Sequence, residues 1–199
     1  MGSRKNSADR KAEIVEAMLA LVAELGPACA TTQAVADRVG ITQAGVFRHF
    51  PAKKDLWLAV ADWLVMEAQA RWDKARKSEK SPLAGIRCVI EAQFEFIQQT
   101  PAVHSLIFSR ELHAQNEELR RSFNSMGTVF HVLLTDLTKQ AQVAGELSSD
   151  FAPHEIANLL LTLPSGLATR WSLSGRTFNL AKDGTRLLEI LLYGMSKIH

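Results

Sequence analysis

The stretch TTQAVADRVGITQAGVFRHFPAKKDL, residues 31–56, constrains this chain more than any other. It holds two short runs of helical periodicity separated by a glycine, followed at once by a third helix with basic residues at its start. Thr31 or Thr32 offers a hydroxyl to orphan amides, and Gln33 to Val39 carries apolar Val35 and Val39 one turn apart. Gly40 supplies the left-handed residue that ends this helix, Ile41 fills the turn, and Thr42 caps the next helix. That next helix, Gln43 to His49, divides into two faces. Val46 and Phe50 lie four apart and point inward, whereas Gln43 with Phe47 and Ala44 with Arg48 form outward rows.

Packing alone explains such an outward face poorly. A major groove explains it better: Gln bonds a base edge, small and aromatic groups touch a thymine methyl, and Arg reaches guanine or phosphate. In a helix-turn-helix, the start of the second helix meets base edges while the first helix braces on the backbone. A helical hairpin inside an unrelated all-helical protein is the plainer alternative.

The stretch 26–60 resembles the DNA-binding domain of TetR-type (TetR/AcrR) transcriptional regulators. The matching residues run in the family's order: Gly26, Thr31-Thr32, Val35-Ala36, Val39-Gly40-Ile41-Thr42, Val46-Phe47-Arg48-His49-Phe50, Lys53 and Leu56. The resemblance implies that Thr32, Gln43, Phe47, His49 and Lys53 sit where members commonly touch DNA. With the rest of the outward face, the candidate DNA-binding set is Thr32, Gln33, Thr42, Gln43, Ala44, Gly45, Phe47, Arg48, His49 and Lys53. One departure matters. The family often carries Tyr where Phe47 stands, so the contact there is expected to be apolar or absent.

A chain of 199 residues, 47% of them hydrophobic, has room for one large domain or two small ones around a sizeable core. No run of eighteen apolar residues appears, so no membrane association is expected. Cys29 and Cys88 are too few and too far apart for a disulfide framework or a metal cluster, and a reducing cytoplasm is the expected setting. The net charge is +2, and residues 1–57 hold all of it, with eight Lys/Arg against six Asp/Glu. So small an excess is weak support for a nucleic-acid partner.

Along the chain, residues 1–8 look disordered, and Arg4, Lys5, Arg10 and Lys11 form either a basic arm toward DNA or a solubilising tail. Asp9 to Leu25 is an amphipathic helix ended by Gly26-Pro27. A long helix should run from about Ala52 to Arg76, its cationic first turn at odds with the helix dipole unless a phosphate lies nearby. Further helices are expected over Pro82–Gln99, Val103–Leu112, Glu117–Ala144, Pro153–Leu173 and Lys182–Met195. The expected fold is all-α. Residues 1–52 form a three-helix helix-turn-helix DNA-binding domain, and residues 53–199 a helical ligand-binding and dimerisation domain joined by the helix over 52–76.

By resemblance, that joining helix couples the two domains, a small-molecule effector binds among the middle helices, and the last two helices pair across a homodimer. Aromatic and Met side chains at helical spacing are more often core than pocket, yet as a group they make an apolar cavity plausible. The candidate lining is Trp63, Glu67, Phe94, Phe108, Met126, Phe130, His131 and Arg170. The candidate dimer residues are Leu160, Leu163, Leu167, Leu188, Leu191 and Leu192, in two apolar stripes of the kind that mark association surfaces. Pro164 should kink or divide the first of these helices.

No histidine pattern supports a metal, no cofactor fingerprint appears, and no catalytic signature is present, so an enzyme is not expected. The expected function is a homodimeric regulator, a repressor released from a double-stranded operator by a mostly apolar effector. An activator, a nucleoid-associated regulator and a helical protein-binding adaptor are its rivals, with a small all-α enzyme behind them.

Overall fold

A computed structural model of the chain describes residues 6–196. Among them every regular element is an α-helix and none is a strand. The helices are α1 (Ser7–Leu25), α2 (Thr32–Val39), α3 (Gln43–His49), α4 (Lys53–Lys77) and α5 (Pro82–Gln99), then α6 (Ala102–Ile107), α7 (Arg110–Gln115), α8 (Glu117–Val143), α9 (Pro153–Leu173) and α10 (Leu180–Met195). Arg4 and Lys5 of the expected basic arm lie outside the described residues.

The caps show why the early helices begin and stop where they do. Asn6 accepts a hydrogen bond from the Asp9 amide at 2.8 Å, Thr31 from Ala34 at 3.1 Å and Thr42 from Gly45 at 3.1 Å. Gly40 adopts φ 74°, ψ 37°, a left-handed conformation that a side chain would strain. The segment expected as a single helix over Val103–Leu112 is broken in two. Ser109 takes an extended backbone and accepts from the Leu112 amide at 3.3 Å, which starts α7 afresh. The last helix begins earlier than expected, at Leu180, because Asn179 caps it through the Lys182 amide at 2.9 Å.

Contacts divide the chain into two compact units. The first contains the described residues up to Val65 together with Thr100–Phe123; the second contains Met66–Gln99 and the described residues from Asn124 onward. The division differs from the expected boundary at residue 52, because α6 packs on α1 and carries α7 with it into the first unit. Helices α4 and α8 contribute to both.

In the first unit, α1 packs on α2 and α3, and α2 on α3. Ile14, Met18, Val35 and Val46 are fully enclosed. Burying each such side chain contributes about 1.5–3 kcal/mol. Arg38 of α2 reaches Glu24 of α1 with both terminal nitrogens, one at 2.8 Å, and the hydrogen bond holds the Glu24 carboxyl below its usual range.

In the second unit, α5 lies along α10 and against α9. Ile86, Ile90, Phe94, Leu134, Leu160 and Leu188 are enclosed in its core. Glu146, in the connection after α8, closes the start of α5. Its carboxylate accepts from the Ser81 hydroxyl at 2.6 Å and the Leu83 amide at 2.9 Å. Pro164 does not divide α9, which runs unbroken from Pro153 to Leu173. Its ring is buried, and the adjacent Ser165 hydroxyl donates to the Leu161 carbonyl at 3.1 Å, supplying a bond beside the missing amide.

Candidate nucleic-acid interface

Helix α3 presents the expected two faces. Val46 is fully buried and Phe50 is 6% exposed, which anchors the helix to the unit beneath. On the other side Ala44, Phe47 and Arg48 are exposed, and Gln43 and His49 are half-buried. Phe47 is 38% exposed, which for a large apolar ring at a helix surface is a cost that a groove contact would recover. Gly45 is half-buried, and a Cβ there would sit 3.4 Å from Thr42 Oγ1, an ordinary contact. Glycine is therefore not sterically required at this position.

The residues around α3 divide by what their side chains already hold. Gln33 is exposed and donates to Asp37 at 2.7 Å. Thr42 is exposed, with its oxygen engaged as the α3 cap. Lys53 is exposed, its ammonium 5.7 Å from the Trp57 ring centre. Thr32 departs from expectation. It is 7% exposed, and its hydroxyl oxygen accepts a hydrogen bond from Gln43 Nε2 at 2.9 Å. A hydroxyl so placed is enclosed by its own unit rather than offered to solvent, and its partner is Gln43.

Lys11 is expected in an arm that either contacts DNA or solubilises the chain. The structure puts it on the α1 surface, its ammonium 5.7 Å from the Phe50 ring centre. Arg10 beside it pairs with Glu13 at 2.8 Å. Burial pushes the His49 imidazole below its ordinary range, and the nearby charges of Arg48, Lys11 and Arg10 push it the same way. Three cationic side chains from α1 and α3, Arg10, Lys11 and Arg48, thus share one neighbourhood with His49. A surface of that sign, with an aromatic ring and a carboxamide beside it, suits a phosphate backbone and base edges.

The expected effector residues are less uniform. Phe94 is fully buried, Met126 and Phe130 are nearly so, and the Phe130 ring stacks on Trp72 with centres 4.3 Å apart. Among the described residues His131 Nε2 is buried without a hydrogen-bond partner, and so is the hydroxyl of Thr138. Seven residues apart on α8, these two share a helix face. Trp63 is half-buried and belongs to the first unit, and Glu67 pairs with Arg71 at 3.0 Å. Two expectations need correction. Phe108 is 53% exposed and belongs to the first unit, and Arg170 is exposed with its guanidinium 5.4 Å from the Phe178 ring centre. Trp72 was missed; it follows Leu64 and Ala68 at four-residue spacing, and its indole donates to Gln93 at 2.8 Å.

The expected dimer residues need a larger correction. Leu160, Leu188 and Leu192 are fully enclosed within their own chain, and Leu167 is 7% exposed, so these four are core. Only Leu163 and Leu191 of the six retain partial exposure. The apolar residues that α9 and α10 do expose are Leu159, Leu173, Leu187, Ile190 and Tyr193. Two apolar stripes were legible in the sequence, but a helix with apolar residues nearly all round does not announce which side faces its own core.

Among the described residues no helix is long and apolar enough to cross a membrane, and no group of three or more His, Cys, Asp or Glu could hold a metal ion.

Known proteins agree with this geometry. Residues 14–60 match the family described as bacterial regulatory proteins of the tetR family, and residues 82–191 match the C-terminal region of BetI-type transcriptional repressors. The chain is 24% identical over 166 residues to the nucleoid occlusion factor SlmA of Marinomonas sp. (strain MWYL1), covering 83% of each. Its fold superposes on a TetR-family regulator from Agrobacterium tumefaciens with a TM-score of 0.82 at 19% identity, covering 96% of this chain and 100% of the other. It superposes on FadR of Bacillus subtilis, solved in complex with stearoyl-CoA, with a TM-score of 0.77 at 18% identity, covering 94% and 99%. The helix-turn-helix unit at the N-terminus, the helical region that follows it and these likenesses lead to one conclusion: the chain belongs to the TetR family of DNA-binding transcriptional regulators.

Proposed function

We propose that the chain is a homodimeric repressor, acting in the cytoplasm, that leaves its operator when a mostly apolar small molecule binds the second unit. The observation that carries the reading is the outward ridge of Ala44, Phe47 and Arg48 on α3, with Gln43 beside it, set over the buried Val46 and Phe50. Two such ridges in a symmetric dimer would meet successive major grooves, about 34–36 Å apart for half-sites one turn apart. The exposed apolar residues of α9 and α10 are the natural pairing surface, since a lone chain would leave them in water. Helix α4, which contributes to both units, is the proposed coupling element.

The effector reading is supported by the enclosed aromatic cluster around Trp72 and Phe130, and by the unpartnered His131 Nε2 and Thr138 hydroxyl on the same helix. An apolar body with one or two polar groups would satisfy both features. The fold likeness to FadR, a protein solved with stearoyl-CoA, makes long-chain acyl compounds the first class to try. A ligand shifts the operator equilibrium only by its differential affinity for the two states.

The test is selection of duplexes from a random pool, followed by binding measurements with Arg48→Ala and Gln43→Ala. Both variants should bind the selected duplex at least tenfold more weakly, roughly the loss of one good base contact each. Unchanged affinity and unchanged preference in both would remove the proposed readout. Acyl compounds should then raise the melting temperature and release the duplex.

The Marinomonas relative favours a second reading, in which the same interface serves a chromosome-associated factor rather than a promoter-bound repressor. Mapping bound chromosomal sites separates the two. Sites confined to promoters support repression, and sites spread through the chromosome support the second reading.

A further inference from the structure

The bond between Gln43 Nε2 and Thr32 Oγ1 joins the first residue of α3 to the first residue of α2 at 2.9 Å. Thr32 is held firmly. It is 7% exposed, it lies in the first turn of a helix capped by Thr31, and α2 packs on both α1 and α3. Gln43 is half-buried on the flank of the exposed ridge, and among the described residues its carboxamide makes no other hydrogen bond. A carboxamide carries two N–H donors and one carbonyl acceptor. If Thr32 takes the N–H that points away from Oε1, the other N–H and Oε1 lie along one edge as an adjacent donor and acceptor. That pair matches the N7 acceptor and N6 donor of adenine in the major groove, the two-bond pairing by which glutamine reads that base.

We infer that Thr32 is a positioning residue for sequence readout: its buried hydroxyl fixes the Gln43 carboxamide so that the free edge selects adenine at one position of each half-site. This rests on the proposed reading of α3 as the recognition helix and adds a residue that itself touches no base. A glutamine side chain has several rotatable bonds, and fixing its terminal plane beforehand lowers the ordering cost of a two-point contact. Without the hydroxyl the same side chain would sample other orientations. It would still make contacts, but with less discrimination between bases.

The experiment compares base preference across the selected operator for the wild-type chain, Gln43→Ala, Thr32→Val and Thr32→Ser. The wild type should show one adenine in each half-site that Gln43→Ala no longer selects. Thr32→Val should lower the preference at that same position by about five- to tenfold, within the range of one base-specific pair. Its preferences elsewhere, its affinity for non-specific duplex and its salt dependence should stay as they were. Thr32→Ser, which restores the hydroxyl, should restore the preference. Thr32→Ala provides the same reading if valine in this enclosed site prevents folding. Gln43→Glu can only accept, so the bond to Thr32 should reverse, the hydroxyl donating to the carboxylate, and the preference at that position should move toward cytosine.

An unchanged preference in Thr32→Val and Thr32→Ala at the Gln43-dependent position would overturn the inference, as would a uniform loss at all positions. No Gln43-dependent position in an otherwise selective protein would overturn it too, leaving the regulator reading intact. Absence of any sequence-selective duplex binding by the wild type would overturn both.

Discussion

Gly184 of α10 lies against the ring of Phe94 in α5 so closely that a Cβ built on it would stand 2.6 Å from the ring's Cε1 and Cζ. Phe94 is fully buried, so the ring has nowhere to retreat without displacing its neighbours. Gly184→Ala should therefore destabilise the second unit by about 1–3 kcal/mol, as overpacked cores do. Gly127→Ala in α8 is the control. A Cβ there meets nothing within 4 Å, and alanine in a helix is worth about 0.5–1 kcal/mol over glycine. Urea melts of the two variants should move in opposite directions.

The sides of α9 and α10 make separable predictions. Leu188→Ala opens a cavity in an enclosed site and should cost about 2–5 kcal/mol. Ile190→Glu alters a side chain that is 63% exposed, so the fold should hold while self-association is lost. Sedimentation should show a monomer, and affinity for a two-half-site duplex should fall toward that of one half-site. A persistent dimer in Ile190→Glu would place the pairing surface elsewhere.

His49 gives operator binding a pH dependence whose sign follows from its surroundings. In the free protein, burial and the charges of Arg48, Lys11 and Arg10 hold its value below the ordinary 6.5, so the ring is neutral near neutral pH. A phosphate beside it would favour the imidazolium, raising the value in the complex. Binding then takes up a proton, and affinity should rise as the pH falls through the complex's value toward the lower value of the free protein. The limit is tenfold per pH unit for a single proton, and about threefold is expected across a partial titration. His49→Gln should flatten the curve. The folded chain alone behaves oppositely: the contribution of His49 to stability is complete above about 6.5 and is lost as the pH falls through its depressed folded value.

Phe47 tests the departure from the family's usual tyrosine. It is 38% exposed at the ridge, where a tyrosine hydroxyl would have a phosphate within reach. Phe47→Tyr should tighten binding by about fivefold, the worth of one net hydrogen bond of ~1 kcal/mol, without changing base preference. Competition among duplexes that differ at single positions would check both parts.

Where the sequence was legible, local chemistry decided the outcome. Thr31, Gly40 and Thr42 carry cap and turn signals that depend on a few neighbours, and the two short helices fall where those residues put them. The split between α6 and α7 turns on Ser109, whose capping role is only one of several that a serine in an apolar run can play. The leucines of α9 and α10 were visible as apolar, but which of them face the core depends on how α5 lies against both helices. Thr32 was placed at the interface by resemblance. Its enclosure and its bond to Gln43 depend on the packing of α2 against α3, which spacing along the chain does not reveal.

The chain completes its first unit only after a detour. The described residues up to Val65 wait for Thr100–Phe123, whose α6 packs on α1 and buries Ala102, Val103 and Leu106. During translation α3 leaves the ribosome well before the segment that finishes its support, so a nascent chain halted near residue 52 carries an unfinished first unit. A clone ending near residue 52 would inherit the same defect as a tendency to aggregate, since it lacks the segment that carries Ala102, Val103 and Leu106.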